Sequence, residues 1–301
     1  MKKSSKSKQM LVLSLVTGCL LTGAMPTLAG PPLATDDAGT VDPGKVEIEL
    51  NGSYGYDKQT SGGSITKTNS IDGEVKITTG LYKDLGISLA IPYLFHERSN
   101  VDGDILNTDG FGDMTLEVKY KFAELAGIAL AIKPSIIMPT GKYSNGLSEG
   151  RWQFGGTLIA TKEFDDGKYA LHANIGYEYH HYRVDPELQR SNILSGSIAG
   201  EVEVAKGLFT VADFGLATKP DKSSNELPVY ALTGLRYEIN DHLDVDAGIK
   251  FGLTKPETDV TAVYDPTRSL TCIFQRELLL AHRLLRLPLL VPQSWLGVSK
   301  T

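Results

Sequence analysis

Apolar and polar residues alternate along most of this chain with a period of two. That is the signature of strands with one face in an apolar medium and one in a polar medium. In 45–56, Val46, Ile48, Leu50, Tyr54 and Tyr56 share one face, and Lys45, Glu47, Glu49, Asn51 and Ser53 the other. The alternation recurs in 70–79, 85–96, 113–122, 127–138, 151–164, 168–181, 192–204, 208–217, 228–239 and 242–253. These segments predict eleven strands of mostly 10–13 residues, the length a tilted transmembrane strand needs and about twice that of a soluble one.

The connections sharpen the prediction. Stretches 57–69, 97–112, 139–150, 182–191 and 218–227 are long and polar, and they alternate with the short 80–84, 123–126, 165–167, 205–207 and 240–241. An up-and-down barrel with long outer loops and short periplasmic turns has this rhythm. A secreted β-sandwich, the alternative that shares the strand alternation, has no reason to show it. Aromatics such as Tyr93, Phe95, Tyr120, Phe122, Trp152, Phe154, Tyr177 and Tyr179 cluster near strand ends, as interfacial girdles do. The fold class expected is all-β: a transmembrane antiparallel up-and-down β-barrel of about 12 strands in the outer membrane.

The ends of the chain depart from the pattern. Residues 1–29 combine a basic start (Lys2, Lys3, Lys6, Lys8), an apolar run from Leu11 to Leu21 and small residues at Thr27-Leu28-Ala29. This reads as an export signal. A lipidated leader on Cys19 is the alternative, and the apolar run continuing past Cys19 counts against it. The barrel is assigned to 30–274. Even parity requires a twelfth strand from Asp259–Tyr264 or Arg268–Phe274, and Pro266 between them is expected to break the ladder. Residues 275–301 turn Leu- and Arg-rich and lack alternation. Sequence beyond about Tyr264 therefore reads as the product of a reading-frame change.

Charge and composition narrow the function classes. A net charge of −6 without a basic patch gives no footprint for nucleic acid. With Cys19 in the leader and Cys272 near the end, a disulfide in the body is not expected. His172, His180 and His181 with Glu178 do not have the spacing of a metal site on a strand. No Ser-His-acid set can be argued from spacing, so neither catalysis nor a cofactor is expected.

The inward-facing charges are the candidate functional residues. They are Glu47, Glu49, Asp72, Glu74, Glu117, Glu178, Glu201, Glu203, Asp213, Glu238, Asp244 and Asp246, with Lys45, Lys76, Lys119, Lys121, Lys133, Arg236 and Lys250. They suit either a salt-bridged filling of a narrow barrel or a weakly cation-preferring channel. Leu94, Ile137 and Leu232 on the same face would suit a greasy solute.

Several short motifs follow one another in an order that resembles a known family. They are Leu33-Ala34-Thr35-Asp36-Asp37-Ala38-Gly39-Thr40, Gly44-Lys45-Val46-Glu47, Ile91-Pro92-Tyr93, Gly110-Phe111-Gly112-Asp113 with Lys119-Tyr120, and Pro139-Thr140-Gly141. Together they resemble the bacterial family named for the meta-pathway of phenol degradation, regarded as outer-membrane barrels and transporters. The resemblance covers about 33–254. It implies a barrel of about twelve strands that takes up hydrophobic or aromatic compounds, with outer-membrane lipid and the barrel assembly machinery as partners. It carries no catalytic or binding residues. A structural barrel without transport is the alternative function.

Overall fold

The computed structural model of the protein describes residues 33–271, apart from 62, 63, 166 and 241. The expected leader at 1–29 and the tail at 275–301 lie outside the described residues. Among the described residues thirteen strands form one antiparallel sheet: β1 (Lys45–Ser61), β2 (Ser64–Tyr82), β3 (Leu85–Val101), β4 (Asp104–Phe111), β5 (Met114–Leu125), β6 (Ile128–Met138), β7 (Gln153–Phe164), β8 (Tyr169–Tyr179), β9 (Asn192–Ala205), β10 (Leu208–Ala217), β11 (Val229–Asn240), β12 (Leu243–Gly252) and β13 (Val260–Thr271). β1 pairs with both β2 and β13, so the sheet closes on itself. β3 pairs with β5 over Leu85–Ala90 and with β4 over Tyr93–Val101, so β4 and β5 form one stave interrupted at Gly112-Asp113. The result is a closed barrel of twelve staves, and among the described residues only β4 has a single paired neighbour. The sandwich alternative is thereby excluded.

Pro266 does not break the last strand. β13 runs through it, and Pro266 stands opposite Val245 of β12. Against β1 the pairing resumes in unchanged register, Glu49 opposite Thr267 and Gly52 opposite Tyr264. The missing N–H of proline therefore costs local bonds but not the strand. The twelfth strand is one continuous Val260–Thr271 rather than either of the two expected pieces.

Two of the expected outer loops are also strand. β3 and β4 meet at Asp102-Gly103, whose φ values of 51° and 99° make a tight hairpin of the 97–112 stretch. β1 and β2 stay paired out to Ser61 and Ser64. These staves are tall, 17, 19 and 17 residues for β1, β2 and β3, against 10 each for β10 and β12. The wall thus rises on one side of the outer mouth.

The two faces of the wall invert the usual globular arrangement. Leu158, Ile175, Ile198, Leu235 and Phe251 are exposed on the outside, Ile175 at 67%. Glu49, Lys76, Glu117, Lys133, Asp213 and Asp246 are buried on the inside. An apolar belt around a charged interior is unstable in water and suits a hydrocarbon surround. The chain is an outer-membrane barrel.

Candidate functional site

The lumen is occupied by the segment before β1. β1 begins at the end of the barrel that carries the short turns, since Lys45 lies opposite Thr271 and Val46 opposite Thr79. That end faces the periplasm. From there residues 33–42 run back into the interior as a strap. Where the strap joins the wall, Pro43 bridges Gly80, and the Gly44 N–H donates to the Gly80 carbonyl at 3.1 Å.

Two aspartates pin the strap to opposite walls. Asp213 on β10 accepts from the N–H groups of Ala34 and Thr35, both at 2.7 Å, from Thr35 Oγ1 at 2.8 Å and from the Tyr230 hydroxyl at 3.2 Å. Asp36, on the strap itself, meets Lys119 Nζ at 2.8 Å and Lys133 Nζ at 2.6 Å. Lys119 Nζ also donates to the Asp37 carbonyl at 3.0 Å. Between these anchors the Ala38 N–H donates to Thr161 Oγ1 at 2.9 Å, and the side chain packs on Ala131 and Ile159. Only small residues fit there, as Ala38 is fully buried. Leu33 covers an apolar patch of the inner wall made by Ala199, Val211, Tyr230 and Leu232.

The structure places the candidate lumen residues as follows. Glu49 pairs with Lys76 at 2.9 Å, and Glu117 lies 3.7 Å from Lys133. Glu74 accepts from Asn51 at 3.2 Å. Arg236 reaches Glu201 at 3.2 Å and Glu238 at 3.5 Å. Glu201 is also 3.6 Å from His172, whose Nδ1 is 3.0 Å from the same Thr161 that holds the strap. Glu203 accepts from the Gly207 N–H at 2.9 Å. Glu178 meets His180 at 2.6 Å near the outer mouth. Lys250 pairs at 2.9 Å with Glu257, an outer-loop residue folded inward, and sits over the ring of Tyr230. Glu47, Asp244 and Asp246 line a cavity of about 310 Å³ beneath the strap, together with Asp36, Glu49, Glu117, Lys119 and Arg236. Leu94 and Leu232 are buried, and Ile137 is half-buried.

Sequence reasoning identified the inward charges but not their main partner. Asp213 is among them, yet nothing in strand alternation says that Thr35 completes it. The available signal is the run Ala34-Thr35-Asp36-Asp37-Ala38 itself, small and acidic residues ahead of the first strand. The other motifs also meet in space. Thr140 Oγ1 donates to the Gly112 carbonyl at 3.2 Å and accepts from the Met114 N–H at 2.9 Å, while the Gly141 N–H donates to Asp113 at 2.9 Å. These bonds tie the 139–152 loop across the point where β4 parts from β5. Tyr93 stacks edge-on with Phe111 and Phe95 at the same level. Among the described residues no group of three or more His, Cys, Asp and Glu is placed to hold a metal ion.

The motifs and the barrel agree with what comparison finds. The family model described as "Putative MetA-pathway of phenol degradation" matches residues 35–263. The chain belongs to this family. The match begins inside the strap, at Thr35, and so takes in Thr35, Asp36 and Ala38 as well as most of the wall. Among solved structures, the COG4313 outer membrane channel from Pseudomonas putida F1 is similar with a TM-score of 0.65 and 15% identity, over 80% of this chain and 100% of that one. The NanC porin is more distant, with a TM-score of 0.49 and 11% identity over 73% of this chain and 97% of that one. At these identities the likeness is one of fold. No curated protein matches the sequence.

Proposed function

We propose that the protein is a passive route through the outer membrane for small hydrophobic or aromatic molecules, closed at rest by the strap. One observation carries the reading: the apolar patch of Ala199, Val211, Tyr230 and Leu232 inside a largely charged lumen, capped by Leu33 of the strap. A barrel filled only for stability has no need of an apolar patch covered by a separate segment. When the strap withdraws, the patch lies open to a solute that prefers apolar contact. Family membership points the same way. This is a passage protein rather than an enzyme, and its outer belt takes lipid as partner. Insertion would need the barrel assembly machinery, and residues 1–29 would be the leader removed on export.

The test is uptake. A deletion strain should grow poorly on aromatic carbon sources at low concentration, and the wild-type gene should restore growth. Restoration should fail when Val211→Asp and Leu232→Asp are introduced together, provided that the variant still migrates as a heat-modifiable barrel. Unchanged growth of the deletion strain across a panel of aromatic and lipid carbon sources would sink the reading and favour a structural barrel.

A further inference from the structure

The inward cations differ in where their carboxylates come from. Lys76 pairs with Glu49, Arg236 with Glu201 and Lys250 with Glu257, all within the wall and its outer loops. Lys119 bonds to the strap instead: to the Asp36 carboxylate at 2.8 Å and to the Asp37 carbonyl at 3.0 Å. Lys133, on the neighbouring β6, meets the same Asp36 carboxylate at 2.6 Å and has Glu117 at 3.7 Å. Withdrawal of the strap therefore takes an anion from two lysines of the wall.

An apolar surface adjoins these lysines. Ala38 is fully buried against Ala131 and Ile159, which stand opposite each other on β6 and β7. Ala131 lies two residues from Lys133, on the same inward face of β6. Asp36 and Ala38 thus present a carboxylate to the lysines and a small apolar group to the wall. That is the outline of a small carboxylic acid with an apolar body. The cavity beneath the strap reaches this place, since Asp36, Lys119 and Lys133 all line it, and its volume of about 310 Å³ falls within the range of small-molecule sites. Glu47, Asp244 and Asp246 line its other side. Within the cavity an anion is drawn towards the lysines and away from that side.

We propose that Lys119 and Lys133, with Ala131 and Ile159 beside them, form a binding site for a small carboxylate with an apolar body, and that Asp36 and Ala38 of the strap fill it at rest as an internal stand-in. A solute of this class, such as an arene carboxylate, competes with Asp36 for the lysines and so favours the withdrawn strap. Bonds between ammonium and carboxylate are charge-assisted, so a neutral aromatic of the same shape gains only the apolar part. The docked strap lowers the apparent affinity, because the solute binds only the fraction of molecules in which the site is free. The part that this site plays in passage rests on the proposed route for hydrophobic solutes; the binding itself does not.

The experiment is equilibrium dialysis of the full chain, purified in detergent, against benzoate at pH 7, where the probe is ionised. Benzyl alcohol serves as the neutral probe, and protein-free detergent as the blank. Asp36→Asn, which empties the lysines of their anion, should bind benzoate several-fold more tightly than the wild type and clearly better than it binds benzyl alcohol. Lys119→Met in that background should lose most of the benzoate binding, and Lys119→Arg should keep it. Heat-modifiable migration confirms that each variant is folded. Three results overturn the proposal: benzoate binding no tighter in folded Asp36→Asn than in the wild type, equal binding of the two probes, or full benzoate binding in folded Lys119→Met. If Lys119→Met does not fold, the first two comparisons decide. Tighter binding by Asp36→Asn beside a deletion strain that grows normally on aromatic compounds would sink the passage and leave the site. Lost growth with benzoate binding unchanged by Asp36→Asn would do the reverse.

Discussion

The wall and the strap of this barrel are built from opposite chemistry. The wall is held by an unbroken ring of backbone ladders, with side chains sorted to one face or the other. It would close with many different side chains, because its bonds belong to the backbone. The strap has no ladder. A few residues hold it, chiefly Asp36, Thr35, Ala38 and Leu33, each against side chains of the wall. Backbone bonding gives a permanent structure, and side-chain bonding gives one that a single substitution or a competing solute can release. That difference is what a resting closure inside a stable pore requires.

The largest expected effect is on the strap. Asp36→Ala leaves Lys119 and Lys133 short of a buried carboxylate, and such losses cost about 3–5 kcal/mol. Strap docking should fail while the wall stays closed. Single-channel conductance should rise, and a cysteine placed at the buried Ala38 (in a Cys272→Ser background) should become reactive. An unchanged conductance with a protected cysteine would show that the strap is integral to the wall. The converse substitution is Ile175→Arg, in the middle of β8 on the lipid side. A cationic residue near the bilayer midplane costs about 2–4 kcal/mol, and here the whole barrel bears it. The folded, heat-modifiable fraction should drop. If strap release unfolds the barrel as readily as Ile175→Arg does, the contrast between the two regions fails.

The same contrast explains what was legible in the sequence. Strand alternation is a direct record of which medium each face meets, so the wall and its inward charges could be read from residues such as Glu49, Lys76 and Asp246. Turn chemistry was legible but was overlooked: Asp102-Gly103 is the dipeptide that favours a two-residue hairpin, and polarity alone made 97–112 look like a loop. Pro266 misled in the other direction. Its effect depends on whether a neighbour can spare one bond, and that depends on β1, more than two hundred residues away in sequence. The strap was illegible for a related reason. Thr35 and Asp213 are 178 residues apart, and no local period links them.

A smaller effect is expected where the strap joins the wall. A Cβ at Gly80 would collide with the carbonyl oxygens of Val41 and Asp42, which cross directly over it. Gly80→Ala therefore forces the strap outward, and overpacking of this kind costs about 1–3 kcal/mol. The β1–β2 ladder should tolerate the methyl group, because it lies on the strap side. Conductance should rise partially with the melting temperature of the barrel little changed. A clear fall in that temperature would place the damage in the wall instead.

The smallest effect expected is a pH response of the outer mouth. The loop at 139–152 reaches over the break between β4 and β5, and it is side-chain bonded like the strap: Gly141 binds Asp113, and the Arg183 guanidinium stacks on the Tyr143 ring. Glu149 lies in this loop. Burial pushes its carboxyl up from 4.5 to about 7, with Asp113 nearby adding to the rise and His180 opposing it. Burial raises the Asp113 carboxyl as well. A raised folded-state pKa means that the docked loop prefers the protonated acid. Its contribution is complete below the unfolded value of 4.5 and is lost as the pH climbs through about 7. The loop should therefore hold most firmly in mild acid and loosen towards neutrality, while the ladder-bonded wall does not change. Hydrogen exchange at pH 5 and pH 8, corrected for intrinsic rates, should show faster opening of 139–152 at the higher pH and no change in β7 to β10. Glu149→Gln, which stays neutral, should flatten most of the difference. A loop that instead tightens as the pH rises would mean that the attraction of His180 outweighs burial, and the sign of the argument would be reversed.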